Sequence, residues 1–285
     1  MSAALLDTGL FARCLGYASR VSVDAVGPGS PIALVTMEIR HPATDSLDEA
    51  SNSELKRQLT EFLPIERKPQ DVAWGAAPSG GPAPAAERFV RFVNRENTIA
   101  ASIRSQAVIV ETTEYSSFES LSDIAMRVVD ARSQVSSIVG VERIGVRYVL
   151  EVRAPTGEDG RIEWANWIAE PLLGPHRIAP GGLNLTEWQG AAVFREAQPG
   201  KSMIVRYGPG LGQALDPNYH LRRTLPVEAG PFFLVDVDSF WTPAAAIPEF
   251  DRDAVRATLH NLYEPARTAF DELLTGRARD ELLRS

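Results

Sequence analysis

The sequence predicts an α+β protein: a largely antiparallel sheet made by two similar strand–helix–strands–helix halves, with the long helices packed on one face. Three observations carry this expectation. Val141–Arg153 (VERIGVRYVLEVR), near the middle of the 285 residues, is the longest clean alternation in the chain. Ile144, Val146, Tyr148, Leu150 and Val152 fall on one side of it, and Arg143, Gly145, Arg147, Glu151 and Arg153 on the other, with Val149 among them; that two-residue period is the period of a strand. Further short apolar runs on both sides of this stretch meet at polar turns, as antiparallel neighbours do. The order strand, short helix, two or three strands, long helix occurs over 32–139 and again over 141–283. Residues 1–30 are then an N-terminal helical extension, 31–140 a first α+β half, and 141–285 a second half joined to it as one compact unit.

In order along the chain, residues 2–20 have the spacing of a short amphipathic helix, with Leu6, Leu10, Phe11 and Leu15 on one side. Ile32–Arg40 (IALVTMEIR) follows a turn-rich break and reads as a strand. His41-Pro42 ends it, because proline cannot continue the ladder. Ser51 or Asn52 is expected to cap a helix running to about Phe62, with Leu55, Leu59, Phe62 and Leu63 buried. Trp74–Ala86 is rich in proline and glycine and reads as a surface loop. Arg88–Asn94 and Thr98–Arg104 form a hairpin, and Ala107–Thr113 a further strand. Ser116 or Ser117 caps a helix from about Phe118 to Ser136, with Leu121, Ile124, Ala125, Val128, Val129 and Val135 inward.

In the second half, Ile162–Leu173 is expected to be a short helix bearing Trp164, Trp167 and Ile168. Asn184–Arg195 and Ser202–Tyr207 read as strands joined around Gln198-Pro199-Gly200, and Tyr207–Gln213 (YGPGLGQ) as an irregular loop. Phe232–Trp241 is a buried strand that carries Asp236 and Asp238. Asp251 caps a last long helix through Val255, Leu259, Leu262, Tyr263, Ala266 and Phe270, with a kink at Pro265.

Composition narrows the function classes. A net charge of −8 with arginines and acids interleaved argues against a general nucleic-acid binder, whose affinity comes from neutralising phosphates. The single cysteine, Cys14, excludes an intrachain disulfide and a cysteine-based zinc site, and His41, His176, His220 and His260 lack ligand spacing. The first residues lack a signal-peptide pattern, and no apolar run is long enough to span a bilayer. A cytoplasmic protein with neither cofactor nor membrane association is expected.

Five segments together resemble a known family: Glu38-Ile39-Arg40, Glu111–Glu119 (ETTEYSSFE), Arg143–Tyr148 (RIGVRY), Val235–Asp238 (VDVD) and Leu259–Thr275 (LHNLYEPARTAFDELLT). The resemblance is to a sporadically distributed prokaryotic family of conserved proteins of unknown function, and it covers roughly 31–282. RIGVRY and TTEYSSFE are its strongest pieces, and the N-terminal extension and the Pro/Gly-rich loop depart from it. The resemblance implies no activity, cofactor or catalytic residue. The family's patchy distribution implies an accessory or defence-associated gene product.

Candidate chemistry concentrates on four charged residues. Asp236 and Asp238 share a strand face and are of the type that binds a hard cation, but buried carboxylates more often meet arginines. Arg143 and Arg147 are their natural partners in one cross-strand network. If Arg147 is buried there, its removal strands a charge. Gly208–Gly212 (GPGLG) lacks the GK[ST] ending and the following helix of a phosphate loop, leaving a hairpin connection or a mobile loop. No G-x-S-x-G elbow is present. His260 reads as a buried or half-exposed structural histidine, and Trp164, Trp167, Trp188 and Trp241 as core rather than base-stacking platforms. The expected role is therefore non-enzymatic binding of a protein partner, or self-association. Nucleic-acid sensing through the sheet arginines and metal-dependent catalysis at the DxD pair are the alternatives.

Overall fold

The computed structural model describes residues 30–67, 89–158, 160–175, 178, 181, 183, 185, 187–196, 200–216, 221–223 and 227–282. The helix expected over 2–20, Cys14, the loop Trp74–Ala86 and the Gln198-Pro199 turn lie outside them. So do His176 and His220. The described residues form an α+β protein with a nine-stranded antiparallel sheet and four α-helices. The elements run β1 (Ile32–Arg40), α1 (Glu49–Leu59), β2 (Ile65–Arg67), β3 (Val90–Val93), β4 (Ile99–Ile103), β5 (Ala107–Thr112) and α2 (Phe118–Val135). They continue with β6 (Arg143–Val152), β7 (Gly190–Arg195), β8 (Lys201–Gly212), β9 (Gly230–Trp241), α3 (Arg252–Leu273) and α4 (Gly276–Leu282). The strand order is β2-β3-β4-β5-β1-β6-β9-β8-β7, which puts β1 and β6 side by side in the interior of the sheet.

Alternation decides which side chains meet. Along the central pair, Val35 faces Tyr148, Met37 faces Val146 and Ile39 faces Ile144. On the far side of β6, Tyr148 faces Val237 and Leu150 faces Val235. These residues share one core cluster with Leu55 and Leu59 of α1, Phe118, Leu121, Ala125 and Val129 of α2, and Val255, Leu259, Leu262 and Phe270 of α3. Tyr148 stands at its centre, edge-on to Tyr115 at 5.6 Å and to Phe270 at 5.2 Å between ring centroids. Phe118 stacks on Tyr263 at 4.4 Å and so joins α2 to α3. Each such fully buried side chain contributes about 1.5–3 kcal/mol.

Several boundaries differ from expectation for local physical reasons. Asp48, not Ser51 or Asn52, caps α1, its carboxylate accepting from the Ser51 amide at 2.8 Å. Ser117 and Asp251 cap α2 and α3 as expected. Ile162–Leu173 is not a helix but two 3-10 turns, Trp164–Asn166 and Glu170–Leu172, the second with Pro171 in its first turn. Tyr207–Gly212 is not a loop: β8 runs through it, with Pro209 opposite Phe233 and Gly210 opposite Phe232. The glycines serve close approach, since a Cβ at Gly210 would meet the Phe232 ring at 2.5 Å. Helix α3 continues through Pro265, and the chain breaks at Leu274 instead. There the 167–169 backbone takes over the hydrogen bonding: Ala169 donates to Leu273 O, and the Thr275 amide to Trp167 O, both at 3.0 Å.

Candidate functional site

The sheet face opposite the main core carries an ion-pair ladder across its central strands. Strand parity puts Glu38 and Arg40 of β1, Arg143 and Arg147 of β6, Asp236 and Asp238 of β9 and Arg206 of β8 on this face. Arg147 lies directly opposite Asp238, yet its bonds run diagonally: Nε donates to Asp236 Oδ1 at 2.7 Å and Nη2 to Asp236 Oδ2 at 2.9 Å. Arg206 Nη1 donates to Asp236 Oδ2 at 3.4 Å. Arg143 Nη2 reaches Asp238 Oδ1 at 2.9 Å and Oδ2 at 3.1 Å, while its Nη1 donates to Glu38 Oε2. Arg40 Nε donates to the other oxygen of Glu38 at 2.8 Å.

Gly145 explains how Arg143 reaches so far. A Cβ at residue 145 would collide with the Arg143 guanidinium, which lies across that position and 4.8 Å from the Phe240 ring centre. The glycine inside RIGVRY is thus a seat for a side chain from its own strand. The guanidinium there is held by two carboxylates and an aromatic ring.

All four expected residues come together, but not as one buried cluster. The Asp236 side chain is 4% exposed, whereas Arg147 is 40% and Arg206 47% exposed. The condition under which removing Arg147 strands a charge is therefore not met: the buried charge is Asp236, and two guanidiniums share it. Glu38, Arg40 and Arg206 were missed as members. The signal for Glu38 and Arg40 was their shared parity in β1, and for Arg206 its parity in β8. Neither sequence states which strands pair.

The same face is tied down at both ends. Arg91 donates to Glu111 and Ser102, each at 3.0 Å, in a buried pair. Glu151 has a fully buried side chain that accepts from Arg153 Nε at 2.7 Å, Arg223 at 2.8 Å and the Ala214 amide at 2.8 Å. That carboxylate holds Ala214 and Arg223 in place, and the nearby Leu215 and Leu221 pack with Leu34, Val93, Ala100 and Val149 in a second, small apolar cluster.

Other candidates resolve into structure. His260 is exposed, not buried or half-buried, with its ring edge-on to Phe118 at 4.8 Å. Trp167 is buried, and Trp164, Trp188 and Trp241 are half-buried against the core. His41 is fully buried, its Nδ1 2.8 Å from Pro42 O. Burial pushes its pKa below 6.5; the Pro42 carbonyl acts against this, Arg132 reinforces it and Glu142 opposes it. Arg132, also fully buried, donates to Ser136 O at the end of α2 and to Thr44 Oγ1 at 2.7 Å. A cleft of about 400 Å³ between Pro155–Trp167 and Arg277 contains Arg161 and Glu163 but no nucleophile–base pair.

Chemically, the ladder's carboxylates are already bonded to guanidiniums. Among the described residues no three His, Cys, Asp or Glu side chains are grouped as a cation site. Among them also, no helix is long and apolar enough to cross a membrane. No family model matches the chain, and no curated protein matches it.

Proposed function

We propose that this is a non-enzymatic interaction protein that uses the ladder face of its sheet to hold an acidic segment of a protein partner. One observation carries the reading. The carboxylates Glu38, Asp236 and Asp238 are sunk into the face at 4–17% exposure, while Arg40, Arg147 and Arg206 stand 40–55% exposed above them. The outward sign of the ladder is positive on a chain of net charge −8. Such local fields select and steer partners more than they add affinity.

The test is titration of a fluorescent poly-glutamate peptide, at several salt concentrations, against the wild type and Arg40→Glu/Arg206→Glu. The variant is expected to bind at least about tenfold more weakly, with a shallower salt dependence. Equal binding by both proteins discards the reading. Tighter binding of a single-stranded oligonucleotide of equal charge would move the assignment to the nucleic-acid alternative. The half-buried tryptophans weigh against that alternative. The DxD metal alternative requires Asp236 to give up two arginines, and a divalent ion that raises Tm in the wild type but not in Asp236→Asn would favour it.

We also propose that the two halves are duplicated. The sheet order is mirrored about the β1–β6 seam, with β5, β4 and β3 outward on one side and β9, β8 and β7 on the other. In each half a long helix, α2 or α3, follows the last strand. Membership of the family that RIGVRY and TTEYSSFE resemble, an accessory or defence-associated role, and a cytoplasmic location complete the proposal.

A further inference from the structure

The two ends of the sheet are built differently. At one end β2 has three residues, two of them charged, and Lys56 lies 3.5 Å from Glu66. Short and charged is how proteins guard an edge against pairing. At the other end β7 (GAAVFR) carries no charge before Arg195, and Val193 and Phe194 are 50% and 52% exposed. The chain just before the named strand also lies close to β8. A Cβ at Gly208 would collide with Trp188 O and lie 3.2 Å from Gln189 Cα, so the backbone at 188–189 stays against β8 at Gly208. Among the described residues, no strand pairs with the outer side of β7.

We propose that β7 pairs with β7 of a second copy of this chain, antiparallel, about a two-fold axis through Ala191. The register follows from backbone geometry and charge. Hydrogen-bonding groups alternate between the two sides of a strand, so outward-facing residues must meet outward-facing residues, and facing residue numbers sum to an even number. With Ala191 opposite itself, Arg195 faces Glu187 of the second copy and Phe194 faces Trp188 of the second copy, each twice by symmetry. Glu187 and Arg195 are exposed and Trp188 is half-buried, so an ion pair and an aromatic pair form where both partners have surface to give. Moving the axis to Ala192 sets Arg195 against Gln189 and Phe194 against Gly190, and moving it to Gly190 sets Arg195 against Leu185. Both shifts lose the charge match. The contact lies at the end of the sheet and is independent of the ladder face.

The experiment uses the full chain in a Cys14→Ser background. Ala191→Cys places two thiols opposite each other at a Cα separation of about 4.5–5.5 Å, within disulfide range. Mild oxidation is expected to give a reducible dimer. Val193→Cys is expected to stay monomeric under the same conditions, because its twin lies about 13 Å along the strand. Phe194→Asp, at an exposed position, is expected to keep its circular dichroism spectrum and poly-glutamate binding while its dimer weakens at least about tenfold in sedimentation. A monomeric wild type at high micromolar concentration overturns the proposal, as does a dimer indifferent to Phe194→Asp. Cross-linking at Val193 but not at Ala191 overturns the register.

Discussion

Arg143 and Arg147 sit four residues apart on one strand and look equivalent in the sequence, but their surroundings make them unequal. Arg143 is 17% exposed and is shared by Glu38 and Asp238, themselves 15% and 17% exposed. Its removal leaves Asp238 without that guanidinium in a half-closed site, and Arg143→Ala is expected to cost about 3 kcal/mol in urea melts. Arg147 is 40% exposed, and its partner Asp236 keeps Arg206 at 3.4 Å. Arg147→Ala is expected to cost only about 1–2 kcal/mol, and the Arg147→Ala/Arg206→Ala pair more than the sum of its single changes. A larger loss for Arg147 than for Arg143 would reverse this order. Parity within β6 and β9 made the four original residues legible. Glu38 and Arg206 were not, because the choice of β1 and β8 as neighbours is a long-range fact that local periodicity does not carry.

Elements were legible where they end in a cap or alternate cleanly, and illegible where neighbours override local preference. Strands β1 and β6 and the caps Ser117 and Asp251 follow from short-range chemistry. The second half of β8 does not: Gly208, Pro209 and Gly210 signal a turn, but β9 supplies a partner for every residue through Gly212. The junction after β1 yields a pH prediction. His41 is held there by its amide donating to Gln106 O at 3.0 Å, and its folded pKa is depressed chiefly by burial. Between that depressed value and 6.5 the unfolded chain binds more protons than the folded one. Stability is therefore complete above about 6.5 and falls as the pH drops through the window below it. Thermal melts from pH 8 to 5 should show this slope, reduced in His41→Gln; identical slopes would remove His41 as the cause.

At the scale of the molecule, the β1–β6 seam is a hydrogen-bonded ladder from Ile32–Leu150 to Arg40–Arg143, and one core cluster spans both sides of it. The two sides of the seam therefore depend on each other. A fragment comprising 141–285 would expose the β1-facing edge of β6 together with Val146 and Tyr148, and it is expected to stay unfolded or aggregate. A well-dispersed amide spectrum from that fragment would refute this. The blunt, charged β2 at the opposite end from β7 has a consequence of its own. A sheet competent at both ends is a monomer for polymerisation, adding copies without limit into a fibre. Among the described residues β2 offers a further strand only three residues, so any joining at β7 is expected to stop after one step, as a closed pair rather than a growing fibre.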